Sequence, residues 1–150
     1  KKDLNSILLS KEKFKFVINE FPETDYALDA KFKLDLINDI LASKEMYLGR
    51  YYFDKRKWIP AINRFRKVVD EYSRTIYIEE ALHRLVEVYY TLGLVDEAEK
   101  YANLLGYNYQ SSEWYKKSYS VFNKLYANNK LKNDDKKENL IKRKFKSLFE

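Results

Sequence analysis

A chain of 150 residues, 45% hydrophobic and 35% charged, has enough apolar material for a core and too much charge for a membrane protein; no stretch approaches the roughly 18–20 apolar residues of a membrane span. Only 3 Gly and 2 Pro are present, too few for the tight turns of a sandwich or barrel, so long helices with short connections are expected. Of the net charge of +6, the segment from Ala127 to Glu150 supplies +4, which leaves a nearly balanced body unlike the basic face of a nucleic-acid protein.

In chain order, Leu4, Ile7, Leu8, Phe14, Val17 and Ile18 recur at spacings of three and four and predict a first helix ending near Glu20. Phe21-Pro22-Glu23-Thr24 stops it, because a residue before proline avoids the helical region. Thr24 or Asp25 can cap the next helix, which carries Ala27, Ala30, Leu34 and Ile37. Ser43-Lys44-Glu45-Met46 reads as a further helix start, continuing through Leu48, Tyr51 and Tyr52; a break near Ala42 and one long bent helix both fit. Trp58-Ile59-Pro60 opens a helix with Ala61, Phe65, Val68 and Val69 on one face. The helix from Ile78 to Leu92 carries Leu82, Leu85, Val86 and Tyr89 and ends at Gly93, a left-handed terminating residue. Val95 to Leu105 forms another, and Gly106 to Gln110 is expected as a loop. Ser111-Ser112-Glu113 caps a helix through Trp114, Tyr115, Val121, Phe122 and Leu125. The boundaries expected are a repeat domain over 1–126 and, over 127–150, a polar linker with a basic tail helix bearing Leu140, Ile141, Phe145, Leu148 and Phe149.

Two segments share one template. Leu48, Gly49, Tyr52, Ala61, Phe65 and Val68 align with Leu85, Val86, Tyr89, Ala98, Ala102 and Leu105 at a constant offset of 37 residues. This resembles the tetratricopeptide pattern, in which small residues let two antiparallel helices approach and aromatic residues fill the space beside them. The fold implied is all-α, a superhelix of antiparallel helix pairs. Gly93 serves the turn within its pair, whereas its counterpart Arg56 departs from the pattern. Pro22 and Ser73 lie 51 residues apart, so the helix pair between them is stretched.

The stretched repeat carries a second resemblance. The run Phe21-Pro22-Glu23-Thr24-Asp25-Tyr26-Ala27, then Asp29-Ala30, Glu45-Met46-Tyr47, Arg50-Tyr51-Tyr52, Ala61-Ile62-Asn63-Arg64 and Glu80-Ala81-Leu82 is similar to the C-terminal half of the BamD family. These are tetratricopeptide lipoproteins of the outer-membrane β-barrel assembly machine. The likeness runs from about Phe14 to Ser112. It implies a non-enzymatic scaffold at the periplasmic face of the Gram-negative outer membrane. Its partners would be the barrel-forming component, accessory lipoproteins and unfolded outer-membrane protein segments. Membrane attachment would run through an upstream lipid anchor that this chain, which starts at Lys1 as if N-terminally trimmed, does not carry. The Asn63-Arg64 position implies a partner contact at Arg64, whose guanidinium fork suits a carboxylate, against a plain solvated surface Arg. The repeat pattern further implies a peptide groove lined by Met46, Arg50, Phe53 and Asp54 on one first helix and by His83, Glu87, Tyr90 and Thr91 on the next. In the opposing account, the extra length of the stretched helix fills that groove. The alternative function is a generic tetratricopeptide adaptor in another pathway.

Catalytic signatures are not apparent, and no cofactor is expected. With no Cys and a single His, His83, disulfides, thiolate sites and an HExxH zinc site have no support. Asp96/Glu97 and Asp134/Asp135 are adjacent pairs that point to different faces of a helix, as solvated charge does. No phosphate-binding or nucleophile-elbow motif occurs. Trp114-Tyr115-Lys116-Lys117-Ser118-Tyr119 has the composition of a base-stacking platform, but packing between helices is the better account, and no nucleic-acid partner is expected. The basic tail helix has the chemistry to lie on an anionic membrane surface; docking on a partner or disorder is the reading favoured here.

Overall fold

The computed structural model describes residues 2–123, all of whose regular structure is helical. The helices are α1 (Lys2–Glu20), α2 (Asp25–Asp54), α3 (Trp58–Glu71), α4 (Ile78–Thr91), α5 (Val95–Asn108) and α6, which covers 113–123. Each of α1 to α5 packs on the next, giving the tetratricopeptide arrangement with α2 and α3 as one pair and α4 and α5 as the next. The linker and basic tail helix expected over 127–150, together with Leu125, lie outside the described residues.

Between the two sequence readings of α2 the structure decides for one uninterrupted helix of 30 residues, about 45 Å long at the α-helical rise. Thr24 is its cap, with extended backbone and a hydroxyl that accepts from the Ala27 amide at 3.2 Å. Ser43 begins nothing new. No Gly or Pro precedes it within α2, and Leu41, Ala42, Glu45 and Met46 are all buried, so packing carries the helix through. On the opposite side of α2, Phe32, Leu36 and Ile40 face outward at four-residue spacing.

The main core runs from α2 to α4 through Leu41, Met46, Ala61, Phe65, Val68, Leu85 and Val88. A second cluster of Ile78, Leu82 and Leu105 joins α4 to α5, with Trp114 and Tyr115 of α6 packed against it. The small residues sit where helices touch. Ala61 and Ala98 are fully buried, and a Cβ built on Gly49 would fall 2.8 Å from Cδ1 of Phe65. The expected loop from Gly106 to Gln110 is corrected. α5 runs on to Asn108, and Gly106 lies inside it because the Tyr115 ring occupies the space a side chain would need, 2.8 Å from a built Cβ. This glycine serves close approach and not a turn.

Arg56 departs from the repeat in residue type only. Its φ is 55°, left-handed like Gly93 at 78°. The Lys57 amide donates to Tyr52 O at 2.9 Å and the Arg56 amide to Phe53 O at 2.8 Å; the same bonds recur 37 residues later, from Leu94 to Tyr89 O at 2.9 Å and from Gly93 to Tyr90 O at 3.0 Å. Both first helices therefore end in the same turn, one of them on a side chain that disfavours it.

Candidate partner-binding surfaces

The first helices of successive pairs carry a connected set of polar groups. Arg50 on α2 grips Glu80 on α4 with two bonds of 2.8 Å, Nε to Oε1 and Nη2 to Oε2, a fork-to-fork geometry. Arg84 stands one turn along α4, 3.5 Å from Glu80, and donates to Glu87 at 2.8 Å. Nε2 of His83 lies 3.5 Å from Glu87, and its Nδ1 is 2.8 Å from Oγ of Ser118 on α6. The Arg84 guanidinium lies over the Phe53 ring at 5.4 Å and near Trp114 at 6.0 Å, and Lys117 covers Trp114 at 4.2 Å. Burial pushes the carboxyls of Glu80 and Glu87 up, but Arg50 and Arg84 beside the first, and His83 and Arg84 beside the second, outweigh it and hold both below the ordinary range. The carboxylates are thus charged at neutral pH; Glu80 fastens α2 to α4, while Glu87 holds His83 and Arg84 of its own helix.

A second cluster lies at the α2–α3 seam. Glu45 is nearly buried, and its two carboxylate oxygens go to different cations of α3. Arg64 donates to Oε2 at 2.9 Å and Lys67 to Oε1 at 3.1 Å. Burial raises the Glu45 carboxyl, yet the bonds and charges of the two cations prevail and lower it. Both cations keep more than a third of their side-chain surface in solvent, 38% for Arg64 and 39% for Lys67. Beside them Lys11 of α1 sits 5.1 Å over the Tyr72 ring. Its amine is lowered by burial and by Lys15, Lys67 adding to the effect, and burial with the neighbouring Glu71 and Glu45 carboxylates pushes the Tyr72 phenol up to about 12.

A family model described as an outer membrane lipoprotein, YfiO, matches residues 1–104, the whole of α1 to α4 and most of α5. The chain belongs to the YfiO outer membrane lipoprotein family. Among its relatives is the outer membrane protein assembly factor BamD of Rickettsia prowazekii, 51% identical over 119 residues that make up 79% of this chain and 47% of that protein. The assembly factor BamD of Caulobacter vibrioides is 43% identical over 107 residues, 71% of this chain and 35% of that protein. That of Neisseria meningitidis serogroup A is 33% identical over 99 residues, 66% and 37% of the two chains. The chain spans about a third to a half of the length of these relatives.

In this member of the YfiO family the residues expected to line a groove divide according to what surrounds them. Arg50, Phe53 and Glu87 come together in the polar network described above, with Phe53 also edge-on to Trp58 at 5.6 Å. Asp54, the last residue of α2, is exposed, as is Thr91, whose hydroxyl donates to Glu87 O at 2.7 Å. Met46 is fully buried in the main core and faces no groove. His83 is only 4% exposed, under the Trp114 ring at 5.3 Å, and Tyr90 meets Phe122 edge-on at 5.7 Å. The side chains that cover α4 come from α6 and not from the extra length of α2. α6 is fastened there by Ser112, which accepts from the Trp114 amide at 3.0 Å and donates to Glu79 of α4 at 2.5 Å. Sequence reasoning missed Glu45, Lys67, Glu80, Arg84, Trp114 and Ser118 as members of these surfaces. The spacing of Glu80, Arg84 and Glu87 by four and three was a legible sign of one charged helix face; nothing local marked Glu45 as buried. Among the described residues no three His, Cys, Asp or Glu side chains could hold a metal ion.

Proposed function

We propose that this chain is a non-enzymatic scaffold in the assembly of outer-membrane β-barrels, acting at the periplasmic face of the outer membrane. It binds the periplasmic domains of the barrel-forming component along the α2–α3 seam at Arg64, and works beside accessory lipoproteins. Extended segments of unfolded outer-membrane proteins lie along the first helices, where Arg50, Phe53, Asp54, Glu87, Tyr90 and Thr91 offer charge, aromatic surface and hydrogen bonds. The family membership and the assembly-factor names of its relatives support this reading. The observation that carries it is Arg64 itself: oriented by a buried carboxylate, half in solvent, and with N–H donors to spare for a partner's carboxylate. The catalysis is none; a rigid helical surface presents one chain to another.

Two measurements test this. Arg64→Glu should weaken binding of the purified periplasmic domains of the barrel-forming component while leaving the domain folded, with its helical content kept and its melting lowered only by the loss of the Glu45 pair; equal binding by mutant and wild type removes Arg64 from the site. Photoreactive residues at Phe53 and Tyr90 should capture a C-terminal peptide of an outer-membrane barrel. Capture only at an outward control such as Lys13 on α1 would end the groove assignment.

A further inference from the structure

The seam around Glu45 has an imbalance of charge. One carboxylate faces two cations, and among the described residues neither Arg64 nor Lys67 has another polar partner. Arg64 spends one of its five N–H donors on Glu45 and Lys67 one of three, so the remaining donors are free to turn outward. Lys67 borders a shallow depression of about 270 Å³ lined also by Asn63, Arg66, Asp70 and Glu71. The Glu45 cluster therefore carries one surplus positive charge beside a recess whose own lining mixes Arg66 and Lys67 with Asp70 and Glu71, and the carboxylate of the cluster is already supplied from beneath.

We propose that Glu45 is the positioning residue of this partner site: from below it holds Arg64 and Lys67 as one two-cation clamp, and the clamp closes on a carboxylate of the partner, with Lys67 as its second contact. The proposal rests on the reading of Arg64 given above. The physical reason is pre-organisation. A free arginine and a free lysine on a helix sample many rotamers, and fixing both on binding consumes affinity. A carboxylate buried beneath them fixes both beforehand and suppresses their mutual repulsion. Removing Glu45 has two opposed effects: the site gains a net positive charge, which attracts an anionic partner, and it loses its geometry. At high salt the first effect is screened and the second is not. The loss of geometry is therefore read at 0.5 M salt.

The experiment measures binding of the purified periplasmic domains of the barrel-forming component to the full chain, wild type and variants, with thermal melting of each. Glu45→Gln should weaken binding about tenfold at 0.5 M salt, and should cause no further loss in an Arg64→Ala, Lys67→Ala background, because it acts through those two side chains. Lys67→Ala removes a half-exposed side chain, leaves Arg64 paired with Glu45, and should weaken binding severalfold. Wild-type binding by Glu45→Gln or by Lys67→Ala, while Arg64→Ala still loses affinity, overturns the clamp and leaves Arg64 in the site. A Glu45→Gln loss of equal size in the double-alanine background also overturns it, since the effect then runs through the fold. Wild-type binding by Arg64→Ala and Lys67→Ala together removes the partner site itself.

Discussion

Gly49→Ala isolates the contact on which the α2–α3 pair is built. In an exposed helix interior this change stabilises by roughly 0.8–1.0 kcal/mol, since alanine loses less backbone entropy than glycine. Here the new methyl would stand 2.8 Å from Cδ1 and 2.9 Å from Cζ of Phe65, well inside van der Waals contact. Phe65 is fully buried and has no room to swing aside, so the helices must part or the ring must leave its rotamer, an overpacking cost of ~1–3 kcal/mol. The difference is a net loss of about 1 kcal/mol, or roughly 4 °C in melting temperature for a domain of this size. Chemical denaturation followed by circular dichroism would measure it, with Phe65→Leu and the double mutant completing a cycle. The smaller leucine should absorb most of the Gly49→Ala penalty, giving a coupling of about 1 kcal/mol. Gly106→Ala supplies the contrast: its built Cβ also meets a ring, Tyr115, but that ring is only half-buried and can yield, so the net change should stay within about 0.5 kcal/mol. A Gly49→Ala protein stabilised by the full helix-propensity gain would refute the claim that close approach, and not chance, places glycine there.

Arg56→Gly should raise stability by about 0.5–1 kcal/mol by relieving a left-handed side-chain residue, and Gly93→Ala should lower it by about 1 kcal/mol, both read from urea midpoints. Ala61→Leu and Ala98→Leu should each cost ~1–3 kcal/mol, and unchanged melting in both would show that the repeat register is wrong. Glu80→Ala should cost more than Arg50→Ala, roughly 2 against 1 kcal/mol once solvent screening of half-exposed Arg50 is allowed for, because it leaves both Arg50 and Arg84 without their carboxylate. The lowered carboxyls of Glu45, Glu80 and Glu87 give stability that is complete above the ordinary glutamate value of 4.5 and is lost as pH falls through their folded values; urea midpoints should hold from pH 7 to about 5 and then fall, less steeply in Glu80→Gln.

Periodicity and punctuation in the chain determined the helices and their pairing. The 37-residue offset of Leu48, Gly49, Tyr52, Ala61, Phe65 and Val68 placed Gly49, Ala61 and Ala98 at real helix contacts, because close approach demands a small side chain whatever surrounds it. Helix continuity was decided elsewhere. Ser43-Lys44-Glu45 has the composition of a helix start, but composition reports only what the local backbone tolerates, and the burial of Ala42, Glu45 and Met46 carried the helix through. Gly106 likewise carried the signature of a turn and turned out to be a seat for Tyr115, a residue of another helix. The site residues show the same division. The charged face of α4 was legible at spacings of four and three, and Arg64 was a candidate by its likeness to a family position. Which carboxylate each cation would meet was not, since Arg50 lies 30 residues from Glu80 and Glu45 lies 19 from Arg64. Pairing across helices depends on how two rigid rods rotate and slide until their cores fill, and only the tertiary structure sets that rotation.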